Sequence, residues 1–264
     1  MTIGISLLCP SEDAVIVGTD RMITDRGIPI EFESPNPKFE TFKTDNLAFA
    51  FSSAGSALTP GTIKRRINSN LEDDSSMNDV VSTVKNSYLY LKKKKFAEEF
   101  LEPRGLSFDD FYERGLHNEG RGKEWDRAYS DFSLNLDITL TGVDDSGEWT
   151  YRVSDGDEFA GLTESFGELG FDAVGTGASL ARDTLTSRYS TDLSELQGLY
   201  ILYTALQNAS QAPGVGRNYD IAVISDKEVQ ILTESEKGKL NQAHFDAENG
   251  RNTPFEDGEY LEGL

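Results

Sequence analysis

Three residues near the start of the chain have side chains that together could perform acyl transfer: Thr2, Asp20 and Lys38. Met1 is expected to be removed, as is usual when a small residue follows the initiator methionine, so that the chain begins with the free amine of Thr2. A threonine hydroxyl is a weak nucleophile, but the α-amino group of an N-terminal threonine, with a reference pKa of about 7.7–8.0, can take its proton. These residue types predict an N-terminal nucleophile that attacks a carbonyl carbon.

A cation and an acid complete the predicted site. The amine accepts a proton only when it is neutral, and a nearby cation such as Lys38 disfavours its charged form. Asp20 can hold Lys38 in place and keep it protonated. Each residue alone has a simpler interpretation, as a starting residue, a strand-end acid or a solvated lysine, so the prediction depends on the three together.

The elements around these residues predict how they meet. Residues 2–9 and 14–19 are apolar runs rich in β-branched side chains, and the turn-forming residues 10–13 separate them. This pattern predicts a β-hairpin in which Cys9 lies opposite Ala14. Stepping back along both strands places the start of the chain beside residues 20 and 21.

Two short motifs carry a resemblance to a known family. Residues 18–24 read Gly-Thr-Asp-Arg-Met-Ile-Thr, and residues 38–42 read Lys-Phe-Glu-Thr-Phe. With a threonine at position 2, they resemble the proteasome-type N-terminal nucleophile (Ntn) hydrolases, most strongly the β-type peptidase subunits. The resemblance implies a nucleophile, an acid, a supporting lysine and a substrate-pairing backbone, which fall on Thr2, Asp20, Lys38 and Thr24.

Residues 46–55 resemble the next strand of that family and the turn that donates a backbone N–H to the oxyanion. Ser52 and Ser53 stand where a glycine is usual, although any residue except proline has the required N–H group. The resemblance also implies that Ile23 and Ala50 line the pocket next to the scissile bond, which would favour apolar side chains of medium size.

The second half of the chain both supports the resemblance and departs from it. Residues 173–178 resemble a Gly-Ser-Gly turn of the family, with the hydroxyl of Thr176 in place of serine. The family also has a catalytic aspartate that should fall near Ala212 or Pro213, and residues 208–218 contain no acid. The alternative hypothesis is therefore a non-catalytic ring or scaffold subunit.

The predicted function is an N-terminal threonine amidohydrolase, a proteasome-like peptidase that forms an acyl-enzyme on Thr2. Water resolves this intermediate, and attack by another amine would instead give transpeptidation. No metal or cofactor is expected, because the only histidines, His117 and His244, are not at ligand spacing. The expected partners are a peptide or protein substrate and further copies of the chain, since a homo-oligomeric ring is implied by kinship. An ATPase or other partner is left open.

Composition excludes several other classes. Asp and Glu number 46 against 25 Lys and Arg, a net charge of −21, which argues against a nucleic-acid or membrane-surface protein. The excess of acid suggests a halophilic protein adapted to high salt, or simply an acidic soluble protein. No run approaches the roughly 20 apolar residues of a membrane span and the start lacks a signal peptide, so a cytoplasmic location is expected. The single cysteine, Cys9, is predicted to be a buried hydrophobe.

The order of elements predicts an α+β fold in a single domain, residues 1–264. Strands come first, then two helices, further strands, two helices and a closing hairpin, which suits the four-layer αββα sandwich of two antiparallel sheets that the resemblance implies. Residues 102–130 are predicted to be a polar insertion on the surface or partly disordered, and residues 234–264 an acidic, mobile tail. The charge run at residues 92–95 is interpreted as a solvated face, with a docking patch as the alternative.

Overall fold

The computed structural model describes residues 3–25, 30–55, 59–118, 120–155 and 160–251 of the chain. Its strands are β1 (Ile3–Cys9), β2 (Ala14–Asp20), β3 (Met22–Asp25), β4 (Ile30–Glu33), β5 (Glu40–Lys43), β6 (Leu47–Gly55), β7 (Leu136–Asp144), β8 (Gly147–Asp155), β9 (Ala160–Ser165), β10 (Phe171–Gly175), β11 (Tyr219–Ser225) and β12 (Glu228–Ile231). Its α-helices are α1 (Pro60–Asn70), α2 (Met77–Phe96), α3 (Phe108–Glu113), α4 (Gly122–Asp131), α5 (Ala178–Arg188), α6 (Glu195–Ala209) and α7 (Glu234–Glu248). The paired strands are antiparallel, so the fold is mixed α+β with antiparallel sheets, as predicted.

The first sheet has the strand order β10-β1-β2-β11-β12 and contains the hairpin predicted at the start of the chain. Cys9 pairs with Ala14 and Gly4 with Thr19, which confirms the predicted register. A short 3₁₀ turn, Pro10–Glu12, joins the two strands, and Asp13 adopts a left-handed conformation with φ of 46°. The closing hairpin of β11 and β12 around residues 226 and 227 is confirmed as well.

The second sheet has the order β5-β6-β7-β8-β9, and β3 pairs with β4 as a separate ribbon. Strand β6 is central to the site because it extends beyond its neighbour β5. Strand β5 pairs with β6 only as far as Phe51, whereas β7 pairs with it as far as Gly55.

Each sheet buries one face against helices. The first sheet packs against α5, α6 and α7, and the leucines of α6, Leu199, Leu202 and Leu206, form part of that core. Gly18 in β2 lets this helix come close, because a Cβ there would lie 2.6 Å from Leu202 Cδ2. The second sheet packs against α1 and α2 through large side chains such as Phe49 and Tyr88.

A smaller apolar cluster contains side chains of both sheets. It includes Leu8 and Val17 from the first sheet and Ala48, Ala50 and Val143 from the second. The two sheets therefore contact each other through small and branched residues.

The segment predicted to be a polar insertion is helical and has its own core, which corrects that expectation. Helices α3 and α4 enclose the buried side chains of Phe96, Leu101 and Phe111. The prediction gave most weight to the many charges, but aromatic residues lie between them, and each aromatic side chain buries a large area.

The predicted mobile tail is also corrected, for its first half. Helix α7 occupies residues 234–248, and residues 252–264 lie outside the described residues. A capping box explains where the helix begins: the Thr233 hydroxyl accepts from the Glu236 N–H, and the Glu236 carboxylate accepts from the Thr233 N–H. Leu240 and Ala243 then bury one face against the first sheet's core.

No helix in the described parts of the chain is both long enough and apolar enough to span a bilayer.

Candidate active site

Asp20 ends β2 with its side chain completely buried, and four donors surround its carboxylate. The Ile3 N–H and the Lys38 ammonium donate to Oδ1 at 3.0 and 2.8 Å. The Gly216 and Met22 N–H groups donate to Oδ2 at 2.9 and 3.2 Å. These contacts hold the carboxylate in one orientation at the end of β2.

Lys38 lies just before β5 with a side chain only 13% exposed. Its ammonium donates to Asp20 and to the backbone carbonyl of Met22. Burial lowers the pKa of Lys38, and the charge and hydrogen bond of Asp20 oppose that change. The structure therefore brings together the acid and the lysine that the sequence predicted as a pair.

The predicted nucleophile, Thr2, lies outside the described residues. Its place in the chain is nevertheless informative, because the Ile3 nitrogen forms the peptide bond to residue 2. Asp20 Oδ1 is 3.0 Å from that nitrogen. The ion pair thus lies at the point where the first strand begins.

Ser52 and Ser53 lie in the part of β6 that continues past β5. Ser52 is buried, and a Cβ added to Gly4 would lie 3.4 Å from its Oγ, so β1 crosses this segment closely. In an antiparallel ladder the N–H groups point alternately to either side. Among the described residues β6 pairs only with β7 here, so every second N–H of residues 52–55 faces the side that β5 has left. These are the groups that could donate to an oxyanion.

The two predicted pocket residues and Thr24 lie in different surroundings. Ile23 and Thr24 lie in β3, directly after the carbonyl of Met22 that accepts from Lys38. Ala50 is 1% exposed and packs in the cluster between the sheets.

Thr176 lies in the turn after β10 and is exposed. The residue before it, Gly175, pairs with Ile3 and has a φ of 102°, a conformation that favours glycine. The residue after it, Gly177, packs closely against the next loop, since a Cβ there would lie 2.9 Å from Ala209 Cβ and 3.3 Å from Val215 Cγ2. The turn is therefore held beside the first residue of β1.

The loop that lacks the expected acid still contributes to the site, through its backbone. The Gly216 N–H donates to Asp20, and a Cβ at Gly216 would lie 3.0 Å from Met22 Cβ. Sequence reasoning missed this group, because any residue but proline offers an N–H and only the close approach identifies it.

An ion pair next to the site was also missed. Arg21 donates to both carboxylate oxygens of the buried Asp220, through Nε at 2.9 Å and through its terminal nitrogen. Such two-point contacts fix geometry as well as charge. The pair joins the end of β2 to β11, and the single pattern that could have predicted it is the pairing of two charged residues at adjacent strand ends.

A further acid, Asp137, lies opposite Ala54 in the ladder of β6 and β7. Its pKa is raised mainly by burial, with the Arg152 charge acting in the opposite direction. Arg152 itself bonds Asp172 of β10, with Nε to Oδ2 at 3.0 Å. In the sequence, Asp137 is marked only by its position at the start of a strand.

No group of histidine, cysteine or acidic side chains in the described residues could hold a metal ion. The groups that the described site does bring together are the Asp20 carboxylate, the Lys38 ammonium and backbone N–H groups.

Comparison with known proteins finds similarity in structure alone. No protein-family profile and no curated protein matches the chain. Solved structures of Anbu proteins match over nearly the whole length: Anbu, described as an ancestral beta-subunit, from Yersinia bercovieri (12% identity, 100% of this chain and 99% of that one, TM-score 0.64), and Anbu from Hyphomicrobium sp. strain MC1 (11%, 94% and 96%, TM-score 0.63). A third, described as the helical assembly of the Anbu complex from Pseudomonas aeruginosa, matches at 13% identity over 94% and 95% with a TM-score of 0.64.

These matches correct the family expected from the sequence. The resemblance pointed to proteasome β-type peptidase subunits, and that was wrong: the similar structures are Anbu proteins, a distinct family that shares proteasome-like ancestry. The motifs around Asp20 and Lys38 are too short to separate the two. At 11–13% identity the similarity shows the fold, which this chain shares with the Anbu proteins.

Proposed function

We propose that the protein is an N-terminal threonine amidohydrolase that cleaves amide bonds in peptides or proteins through an acyl-enzyme on Thr2. The observation that carries this proposal is the buried pair of Asp20 and Lys38, whose carboxylate also binds the Ile3 N–H. The fold alone does not require a buried lysine and carboxylate at the start of β1, because apolar residues at these positions would stabilise the core as well as the ion pair does.

In the proposed reaction, the Thr2 amine takes the proton of the Thr2 hydroxyl as the oxygen attacks the carbonyl carbon. The cationic Lys38 disfavours protonation of that amine, and Asp20 keeps the lysine charged. The amine then gives the proton to the leaving nitrogen, and a water deprotonated by the same amine resolves the ester.

Backbone N–H groups in residues 52–55 are proposed to stabilise the oxyanion, since alternate groups face the side beyond β5. Thr176 supports the nucleophile from the turn opposite Ile3. The backbone of Thr24 pairs with an extended substrate, and Ile23 with Ala50 shapes the neighbouring pocket. If an acceptor amine attacked the same acyl-enzyme in place of water, the reaction would form a new amide bond and the enzyme would act as a transpeptidase.

The finer architecture belongs to the same proposal. The helix contacts of each sheet and the cluster that they share support a four-layer αββα arrangement. The Pseudomonas aeruginosa structure is described as a helical assembly, which supports a homo-oligomer of this chain as well. Light scattering of the purified protein measures its mass directly.

The test begins with the intact mass of the purified protein, which should show the loss of Met1. Incubation with a β-lactone should then add one acyl group, mapped to Thr2 by fragmentation. Thr2→Ala should abolish the adduct and Thr2→Ser should retain it, while Thr62→Ala, a change in α1, serves as the control. Retained Met1 with no adduct would favour the non-catalytic scaffold and contradict the proposal.

A further inference from the structure

The helical insertion returns to the second sheet through a short connection, residues 132–135, which a single carboxylate holds. Asp155, the last residue of β8, accepts from the Ser133 hydroxyl and from the Leu134 N–H, both at 2.7 Å through Oδ2. The Ser133 hydroxyl oxygen in turn accepts from the Asn135 N–H at 2.9 Å. The path from α4 into β7 is thus fixed by hydrogen bonds.

A buried lysine lies on the other side of that carboxylate. Lys92 is 3% exposed, although it belongs to the run predicted to be a solvated face, which corrects that prediction for this residue. Its ammonium is 3.8 Å from Asp155 Oδ1, 3.5 Å from the Ser130 carbonyl oxygen and 5.5 Å from the centre of the Tyr129 ring. Burial lowers the pKa of Lys92, and the Asp155 charge opposes the change.

The connection, residues 132–135, contacts the end of β6, the strand whose N–H groups are proposed to bind the oxyanion. Gly55 is the last residue of β6 and pairs with Leu136. A Cβ at Gly55 would lie only 1.9 Å from the Asn135 carbonyl oxygen, and both residues have positive φ, 108° and 50°. The Tyr88 hydroxyl of α2 donates to the Leu136 carbonyl at 3.0 Å, so the contact is fixed from both sides.

We propose that Lys92 and Asp155 are positioning residues, which hold residues 133–136 against β6 and so set the backbone N–H groups of residues 52–55 for the oxyanion. The inference rests on the proposed function for its chemical consequence. It gives the insertion a role, because α4 ends at Asp131, directly before the connection whose Asn135 contacts Gly55. Neither side chain touches a substrate.

The experiment compares three variants with the wild type. Lys92→Met leaves the half-buried Asp155 without its cation. Lys92→Met with Asp155→Asn removes both charges, while the amide oxygen can still accept from Ser133 or Leu134. Lys94→Met is the matched control, because Lys94 belongs to the same run and is 54% exposed in a pair with Glu98.

Two readouts separate positioning from simple stability. The first is β-lactone acylation of folded protein, in which a misplaced oxyanion donor lowers the maximal rate, by about tenfold or more, and leaves the half-saturating concentration within about twofold. The second is hydrogen exchange of the amides of residues 52–55, which should quicken in Lys92→Met. The double variant should recover most of both values, and Lys94→Met should match the wild type.

Each outcome decides the inference. If Lys92→Met melts earlier but acylates at the wild-type maximal rate and exchanges the amides of residues 52–55 unchanged, the pair only stabilises the fold and the inference is overturned. If the wild type forms no adduct, the proposed function fails instead. The exchange measurement then still shows whether the pair holds that strand.

Discussion

The Asp20 carboxylate receives donors from four places in the chain: the start of β1, the start of β3, the lysine before β5 and the loop before β11. The backbone donors fix the carboxylate, and the carboxylate fixes Lys38. The pKa of Lys38 is below its ordinary value because burial outweighs the opposing effect of Asp20. The Asp20 carboxylate therefore favours the charged form of the lysine.

Asp20→Asn should move the alkaline limb of Thr2 reactivity to lower pH. The proposed reaction needs a cationic Lys38, so acylation falls as the pH rises through the pKa of Lys38. Removing the carboxylate removes the interaction that raises this pKa, so it falls further. The measurement is the second-order rate of β-lactone acylation against pH, corrected for hydrolysis of the lactone.

Asp220→Asn is the control for this measurement. This substitution removes a carboxylate that is about as buried as that of Asp20. The partner of Asp220, Arg21, keeps its charge at every accessible pH. Each variant should lose about 3–5 kcal/mol of the free energy of unfolding, as is usual when one partner of a buried pair is removed. An alkaline limb that stays in place in Asp20→Asn would show that Lys38 does not control the amine.

At the scale of elements, the helices differ in how clearly their apolar faces can be recognised in the sequence. Helix α6 carries leucines at helical spacing that are visible in the sequence, and Leu199, Leu202 and Leu206 are all buried. Helix α7 was missed because its apolar face is narrow, with Leu240 and Ala243 as its buried apolar residues. The Thr233 and Glu236 capping box was the signal that could have revealed its start.

The stability of α7 should respond in opposite directions to two substitutions. Thr233→Ala removes the cap and should lower the free energy of unfolding by about 1 kcal/mol. Gly238→Ala should raise it by about 0.5–1 kcal/mol, because in the described part of the chain no atom outside the helix backbone lies within 4 Å of the added Cβ and alanine favours a helix. Urea unfolding measures both, with Ser235→Ala in the first turn as the control. Equal midpoints for all variants would show that α7 does not unfold with the rest.

At the scale of the whole molecule, the net charge of −21 opposes compaction, because like charges repel. Raising potassium chloride from 0.1 to 1 M shortens the screening length from about 10 to about 3 Å. The thermal midpoint should therefore rise with salt. The control is a protein with equal numbers of acidic and basic residues. If the thermal midpoint of the acidic protein fell or stayed constant as salt was added, adaptation to high salt would be contradicted.

A part of the structure could be predicted from the sequence where residues close together in the chain determine it. The first hairpin was predictable to the residue, since the turn at residues 10–13 and the β-branched runs set its register. The insertion was not, because its core forms only when Phe96, Phe111 and their neighbours meet from separate helices. The same holds for Lys92, whose burial depends on packing of α2 against α4 and not on its own run of charges.

The sequence by itself determined the antiparallel α+β class, because apolar β-branched runs and turn residues set the hairpins, and it pointed to Asp20 and Lys38 through their charges and the short motifs around them. Only the tertiary structure decided what surrounds the pair. The Gly216 N–H, the held connection beside Gly55 and the open side of β6 join segments far apart in the chain. Their positions depend on which sheets and helices pack together, and short motifs carry no information about that.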